Sequence, residues 1–276
     1  MKARLRITKS MCAKTIRCAA MAALLIAAFA AAFLATPSDA FAEAAESAET
    51  VYLGGYPVNI ELYSDGKAIA SLGESCGAVE TISGTGVSGL GTVTFEKKDG
   101  SYRALGHAVT DDAGADIAAA YGYIYSSEII GAKLPSEGSA GRLIGRRSGS
   151  SPIGNILIND IFGLSGDMFS PVAGEECEVL CHDEVKPGKA ILCTTVGHER
   201  GMYDIEIVKT SSGRERREKS MVIRITDREL LEKTGGILQG MSGSPILQNG
   251  KLAGAVTHVF TEDPSRGYAV YAEWML

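Results

Sequence analysis

The sequence predicts an all-β protein built as a barrel or sandwich, and three observations carry that reading. Short apolar, β-branched runs alternate with Gly, Asp and Ser turns along most of the chain. Only one convincing helical piece interrupts them. With 276 residues, 45% hydrophobic content and 33 glycines, the chain is long enough to bury a substantial core and rich enough in glycine to turn often.

The strand signals follow in order. Residues 58–62 lead into Ser64-Asp65-Gly66, residues 92–95 into Lys98-Asp99-Gly100, and residues 203–208 into Ser211-Ser212-Gly213; residues 221–225 and 252–259 complete the set. Asp-Gly and Asn-Gly pairs between such runs are hairpin signals, because both residues tolerate positive φ. The helical piece spans residues 227–233, acidic early and basic late, and stops at Gly235-Gly236. Residues 214–219 are charged at all six positions and read as a solvated hairpin tip.

The two ends of the charge distribution differ. Six of the 27 Lys/Arg but only one of the 33 Asp/Glu fall in residues 1–42, which leaves the remainder at about -11. An acidic body excludes nucleic acid as a partner, since phosphate neutralisation needs the opposite sign. The basic N-terminus precedes an uncharged run over residues 18–35 and then Ala40-Phe41-Ala42, the layout of an export signal or a membrane anchor. The length of the run favours the anchor, with the basic flank held in the cytoplasm. Either way, the body is expected outside the cytoplasm, secreted or tethered to the membrane. Residues 1–42 thus read as signal peptide or anchor; the division of the rest into a linker with an N-terminal strand segment, 43–79, and a functional domain, 80–276, is what the family resemblance given below implies.

Four cysteines lie in the exported part. Cys76, Cys177, Cys181 and Cys193 are enough for two disulfides, or remain as structural thiols. Cys177, Cys181, His182 and Cys193 also make a formal zinc set, but their spacing matches no strong metal signature. No metal and no cofactor is expected.

The chemistry centres on Gly240-Met241-Ser242-Gly243-Ser244-Pro245. A serine in a glycine-flanked turn presents its hydroxyl unobstructed, and the N–H groups of Gly240 and Ser242 can point at one spot as an oxyanion hole. A Gly-Ser-Pro hairpin loop without chemistry would read the same way. A serine needs a base, and only four histidines exist. His182 and His198 sit in polar, turn-like surroundings, and His258 sits inside an apolar strand. His107 follows Gly106 at a strand end and precedes Ser242 by 135 residues. That separation lets one barrel supply the base and a second the nucleophile. For an orienting acid, Asp227, Asp111 and Asp160 compete, and Asp227 reads equally well as the N-cap of the helix that follows it.

The turn at residues 240–245 resembles that of trypsin-fold serine proteases. The wider pattern is more specific. Gly106-His107, Thr110-Asp111, Ile225-Thr226-Asp227, the serine turn, the run Gly254-Ala255-Val256-Thr257-His258-Val259-Phe260, Asp263-Pro264, Arg266-Gly267-Tyr268 and the closing Glu273-Trp274-Met275-Leu276 resemble the stage IV sporulation protein B peptidase family. The resemblance covers roughly residues 80–276 and implies a trypsin-like double β-barrel. It implies a serine endopeptidase that cleaves a membrane-associated regulatory protein during sporulation, in the space between the forespore membranes. By the same likeness His107 is the base, Asp227 the orienting acid and Ser242 the nucleophile. Thr257, His258 and Val259 fall on the strand beside the substrate pocket, where His258 would favour a polar or acidic side chain.

The chain departs from that family's pattern in leaving about ten residues where a PDZ domain would stand. Met241 also replaces the acid that trypsin carries just before its nucleophile. A non-enzymatic envelope scaffold and a general envelope quality-control protease are the competing readings.

Overall fold

The computed structural model describes residues 49–63, 77–82, 86–110, 121–170, 174–213 and 215–276. All fall in one compact unit, Ala48–Leu276. The expected signal or anchor, Cys76 and Asp111 lie outside the described residues. No helix among the described residues is long and apolar enough to cross a membrane.

Two β-layers build this unit. The first contains β1 (Thr50–Leu53), β2 (Pro57–Tyr63), β3 (Gly77–Ile82), β4 (Gly86–Glu96), β5 (Ser101–Leu105), β6 (Tyr121–Lys133), β7 (Arg142–Arg147), β8 (Gly154–Ile156), β9 (Ile158–Asp160), β10 (Gly163–Asp167) and β11 (Glu176–Glu178). Its main path runs β7-β6-β2-β4-β5-β10-β9, and β8 pairs with β6. The sheet curls until β8 meets β10, through the Gly154–Met168 bridge and the Leu157 N–H donating to Ser165 O at 2.8 Å.

The second layer contains β12 (Gly188–Val196), β13 (Glu199–Thr210), β14 (Met221–Ile225), β15 (Pro245–Gln248), β16 (Lys251–Val259) and β17 (Arg266–Tyr271). These close into a barrel in the order β12-β13-β14-β17-β16-β15. The double-β, trypsin-like architecture expected from the sequence is therefore present.

The turn chemistry is local. Gln248 and Lys251 pair across Asn249-Gly250, whose φ values of 55° and 78° are the left-handed pair that a two-residue hairpin needs. The one α-helix among the described residues, α1 (Arg228–Thr234), starts on Asp227, whose side chain accepts from the Leu230 N–H, and ends on Gly235 at φ 67°. Residues 50–63, expected as a segment outside the functional domain, form two strands of the first layer. β2 lies between β4 and β6, and contributes Val58, Ile60 and Leu62 to a fully buried cluster with Val93, Ala104, Ile124 and Leu164. A second cluster fills the closed barrel with Leu192, Ile205, Ile223, Ile246, Leu252 and Val256. It extends to Leu90, Phe95 and Leu143 of the first layer, so the two layers share apolar surface where the site is built.

Candidate active site

Ser242 sits on the loop between α1 and β15, and the first layer bolts that loop in place. Thr92 and Thr94, two residues apart on β4, point the same way. The Thr92 hydroxyl donates to Gly240 O at 2.9 Å, the Thr94 hydroxyl to Gly243 O at 2.8 Å, and the Thr92 N–H to Ser242 O at 3.0 Å. On the approach, the Leu143 N–H donates to Gln239 O and the Gln239 N–H to Gly141 O, both at 2.9 Å. Sequence reasoning missed these supports. The signal was present, since two threonines alternating with Val93 in an apolar strand must find partners when buried.

Within the turn, Gly240 (φ 96°) and Gly243 (φ 92°) adopt backbone that other residues avoid. Among the described residues, the N–H groups of Gly240 and Ser242 donate to no other group, so the two expected oxyanion donors are uncommitted. Gly243 lies so close to Leu105 that the two segments of the site touch through backbone. Leu105 itself holds φ 71°, a strained value for a non-glycine residue, directly before Gly106 and His107.

His107 and Ser242 converge on one stretch of β16. The Ser242 hydroxyl donates to Thr257 O at 2.7 Å. The His107 ring packs on His258 with centroids 4.7 Å apart. His107 Nδ1 lies 2.8 Å from Ala108 O. A carbonyl only accepts, so Nδ1 carries the proton and Nε2 presents a bare lone pair, the tautomer of a general base. That Nε2 is buried and has no hydrogen-bond partner. Exposure is 1% for His107 and 6% for Ser242, so bulk water does not compete for either group.

Of the other expected site residues, Thr257 is buried, whereas His258 and Val259 are partly exposed. The Asp227 carboxylate accepts from the Leu230 N–H at 2.9 Å and from the Asp204 N–H at 3.3 Å. Asp160 pairs with Arg103 at 3.0 Å and accepts from the Phe162 N–H. The position where an acid would orient His107 is taken by the Ala108 carbonyl. Replacing Asp227 by Asn, an equally good cap, is expected to leave α1 and most of the turnover intact, whereas Ala should cost about 1 kcal/mol of stability. An orienting-acid role would instead give a loss of about 10⁴-fold for the Asn variant. Steady-state peptide hydrolysis and urea denaturation of both variants separate the two roles.

Burial holds both imidazoles neutral. Desolvation pushes His107 below the ordinary histidine range, opposed by its bond to Ala108 O and by Glu218, and assisted by Lys219. Desolvation, then His107 and Lys219, push His258 down to about 3. An unfolded histidine titrates near 6.5. Below that pH the unfolded chain therefore binds protons that the native state refuses. Stability is full above about pH 6.5 and falls as the pH drops, by at most about 1.4 kcal/mol per pH unit for each histidine. His258→Phe is expected to flatten that fall, as urea midpoints at about pH 7.5 and about pH 5.5 would show. Equal slopes for wild type and variant would contradict it.

The remaining candidates take other roles. His182 Nδ1 meets the Glu273 carboxylate at 2.8 Å, and the ring packs beside Trp274. Cys177 and Cys193 are buried free thiols, and burial pushes the Cys193 thiol up to about 11. Among the described residues, no three potential metal ligands gather. In the charged stretch expected as a solvated tip, Glu215, Arg216, Arg217 and Lys219 are exposed, and Glu218 O accepts from the Thr257 hydroxyl at 3.3 Å.

A closed six-stranded barrel beside a second curled sheet, with a glycine-framed serine and a buried histidine meeting on one strand, defines the class as a peptidase of trypsin-like architecture. The chain belongs to the SpoIVB peptidase S55 family, whose model matches residues 83–276. The match covers the peptidase region alone, consistent with the missing PDZ domain.

Among solved structures the chain is similar to the Rv3671c protease of M. tuberculosis in its active form. Identity is 15% and the TM-score 0.42, with 80% of this chain and 78% of the other covered. It is also similar to the HtrA-type protease AlgW with decapeptide, at 10% identity and a TM-score of 0.43, with 80% of this chain and 62% of that one covered. No curated protein matches the chain.

Proposed function

We propose that the protein is a serine endopeptidase that works through an acyl-enzyme, with Ser242 as nucleophile and His107 as its base. The observation that carries the proposal is the bare, buried lone pair of His107 Nε2 on the strand residue next to the one that accepts the Ser242 hydroxyl.

In the resting arrangement the hydroxyl donates to Thr257 O. Turning the serine side chain exchanges that carbonyl for His107 Nε2, one acceptor for another, at a cost within reach of substrate binding. Catalytic contacts commonly tighten only in the substrate complex. His107 then removes the hydroxyl proton as Ser242 Oγ attacks the scissile carbonyl, and returns it to the leaving amine. Ala108 O keeps the ring in the productive tautomer throughout. The free N–H groups of Gly240 and Ser242 hold the developing oxyanion. Thr257, His258 and Val259 line the approach, and a neutral His258 would offer a substrate side chain a hydrogen bond rather than a charge.

The substrate is a protein, and the family setting supports the reading that it is a membrane-associated regulator of sporulation, met outside the cytoplasm by an exported or tethered enzyme. An inactive scaffold of the same fold is the reading favoured by the Ser242–Thr257 bond. Casein or peptide hydrolysis by wild type that disappears in Ser242→Ala supports the peptidase; hydrolysis that persists in the variant, or is absent from both, removes it.

A further inference from the structure

The segment that carries His107 leaves β5 through a turn of three residues. The Gly106 N–H donates to Ala104 O at 3.0 Å across Leu105, which holds φ 71°. Such a turn is rare and strained, and it persists only where its surroundings leave the chain no alternative. β10 supplies one half of that constraint. A Cβ on Gly163 would stand 2.1 Å from Ala104 O and 2.7 Å from the Gly106 nitrogen, so the two backbones touch.

Asn159 supplies the other half. On β10, Leu164 pairs with Ala104 of β5 on one side and with Asn159 of β9 on the other. From β9 the Asn159 side chain reaches the main chain of Val109, two residues beyond His107. Asn159 Oδ1 accepts from the Val109 N–H at 2.8 Å, and Asn159 Nδ2 donates to Val109 O at 2.8 Å. One planar amide thus satisfies both backbone groups of a residue that is fully buried in the first core. Residues 105–108, the base among them, are held between the paired strand end and this clamp. The next residue of β9, Asp160, grips β5 before the turn, with its carboxylate oxygens 3.1 and 3.0 Å from Arg103 Nη1.

We propose that Asn159 is the positioning residue that keeps His107 facing Ser242. It acts through the Val109 backbone. While Val109 is fixed, the Leu105 turn cannot relax, and the short chain between them leaves the His107 ring one place, against His258 and beside the Ser242 turn. Without the amide, Val109 O and N–H lose their partners, the strain at Leu105 is free to unwind, and the ring moves off. The inference rests on the peptidase reading for its effect on turnover; the effect on the ring does not depend on it.

The test measures peptide hydrolysis and the His107 ring signals by NMR in the full chain, labelled at its four histidines. Asn159→Ala is expected to lower kcat by about 100-fold with KM close to that of wild type, since a small displacement of a catalytic group costs rate rather than binding. The His107 ring should at the same time lose its single Nδ1-protonated tautomer. Asn159→Asp keeps the bond from the Val109 N–H but sets an oxygen against Val109 O. It should move both readouts the same way, and it carries the test if the alanine variant does not fold. Arg103→Gln is the control, because it loosens the same hairpin without touching Val109; kcat and the ring signals should stay near those of wild type. Wild-type kcat and ring signals in a folded Asn159 variant, or an equal loss in Arg103→Gln, would overturn the proposal. A ring that moves in the Asn159 variants of a protein without Ser242-dependent hydrolysis would strike the peptidase reading and uphold the clamp.

Discussion

Ser242→Ala is expected to lower turnover by on the order of 10⁵-fold or more while the protein stays folded. The loss is large because a serine hydroxyl is unreactive near neutral pH until a base takes its proton, so removing the oxygen removes the acyl-enzyme route entirely. What survives is binding and the two free N–H groups, which alone still favour a developing oxyanion over water. The structural cost is small: the variant forfeits one hydrogen bond, from the hydroxyl to Thr257 O, of about 1 kcal/mol. The supports of the turn lie elsewhere. Thr92, Thr94 and the Leu143–Gln239 bond all grip backbone and are untouched by the substitution. Circular dichroism and a urea midpoint near that of wild type, with hydrolysis gone, is the expected pair of results.

Gly243→Ala is expected to damage stability more than any other single methyl at the site. A Cβ there would stand 2.1 Å from Thr92 O, 2.5 Å from Leu105 N and 3.0 Å from Leu105 Cα, on a backbone already at φ 92°. All three atoms are main chain of the opposing layer, so no side chain can rotate out of the way. Relief requires the nucleophile turn and the β5 end to separate, which moves Ser242 away from His107. A loss of about 4 kcal/mol or more, with activity lost even in the fraction that folds, is the expected outcome. Gly250→Ala provides the control: it also has positive φ, at 78°, but nothing lies within 4 Å of its added carbon. Conformational strain of roughly 1 kcal/mol is all it should cost. Chemical denaturation of the two variants side by side checks the contrast, and similar midpoints would contradict the packing argument.

These predictions also mark what the sequence makes legible. The strand runs, the Asn249-Gly250 hairpin and the helix between Asp227 and Gly235 follow from local patterns, because alternation, turn conformation and capping act over a few neighbours. The serine turn is legible for the same reason: its glycines are needed by its own backbone. Partnerships across the fold are harder to read. Nothing around residue 107 announces that a carbonyl one residue on would occupy Nδ1. Asp227 carries a cap signal and an acid signal in the same residue, and only closure of the barrel shows which N–H groups claim its oxygens. The 214–219 run has the composition of a solvated tip; its attachment to Thr257 uses a backbone carbonyl, which any residue would provide. Residues 50–63 read as a separate piece because the strands that flank β2, β4 and β6, come later in the chain.

The account stands on the reach of His107 to Ser242, and fluorophosphonate labelling measures that reach most directly, since the reagent captures a serine oxygen only when a base has activated it. Mass spectrometry should place the phosphonyl group on Ser242 in wild-type protein, and His107→Gln should slow its attachment by several orders of magnitude. Labelling at equal rates in both proteins, or none on Ser242 in the folded wild type, would contradict the pairing of the two side chains.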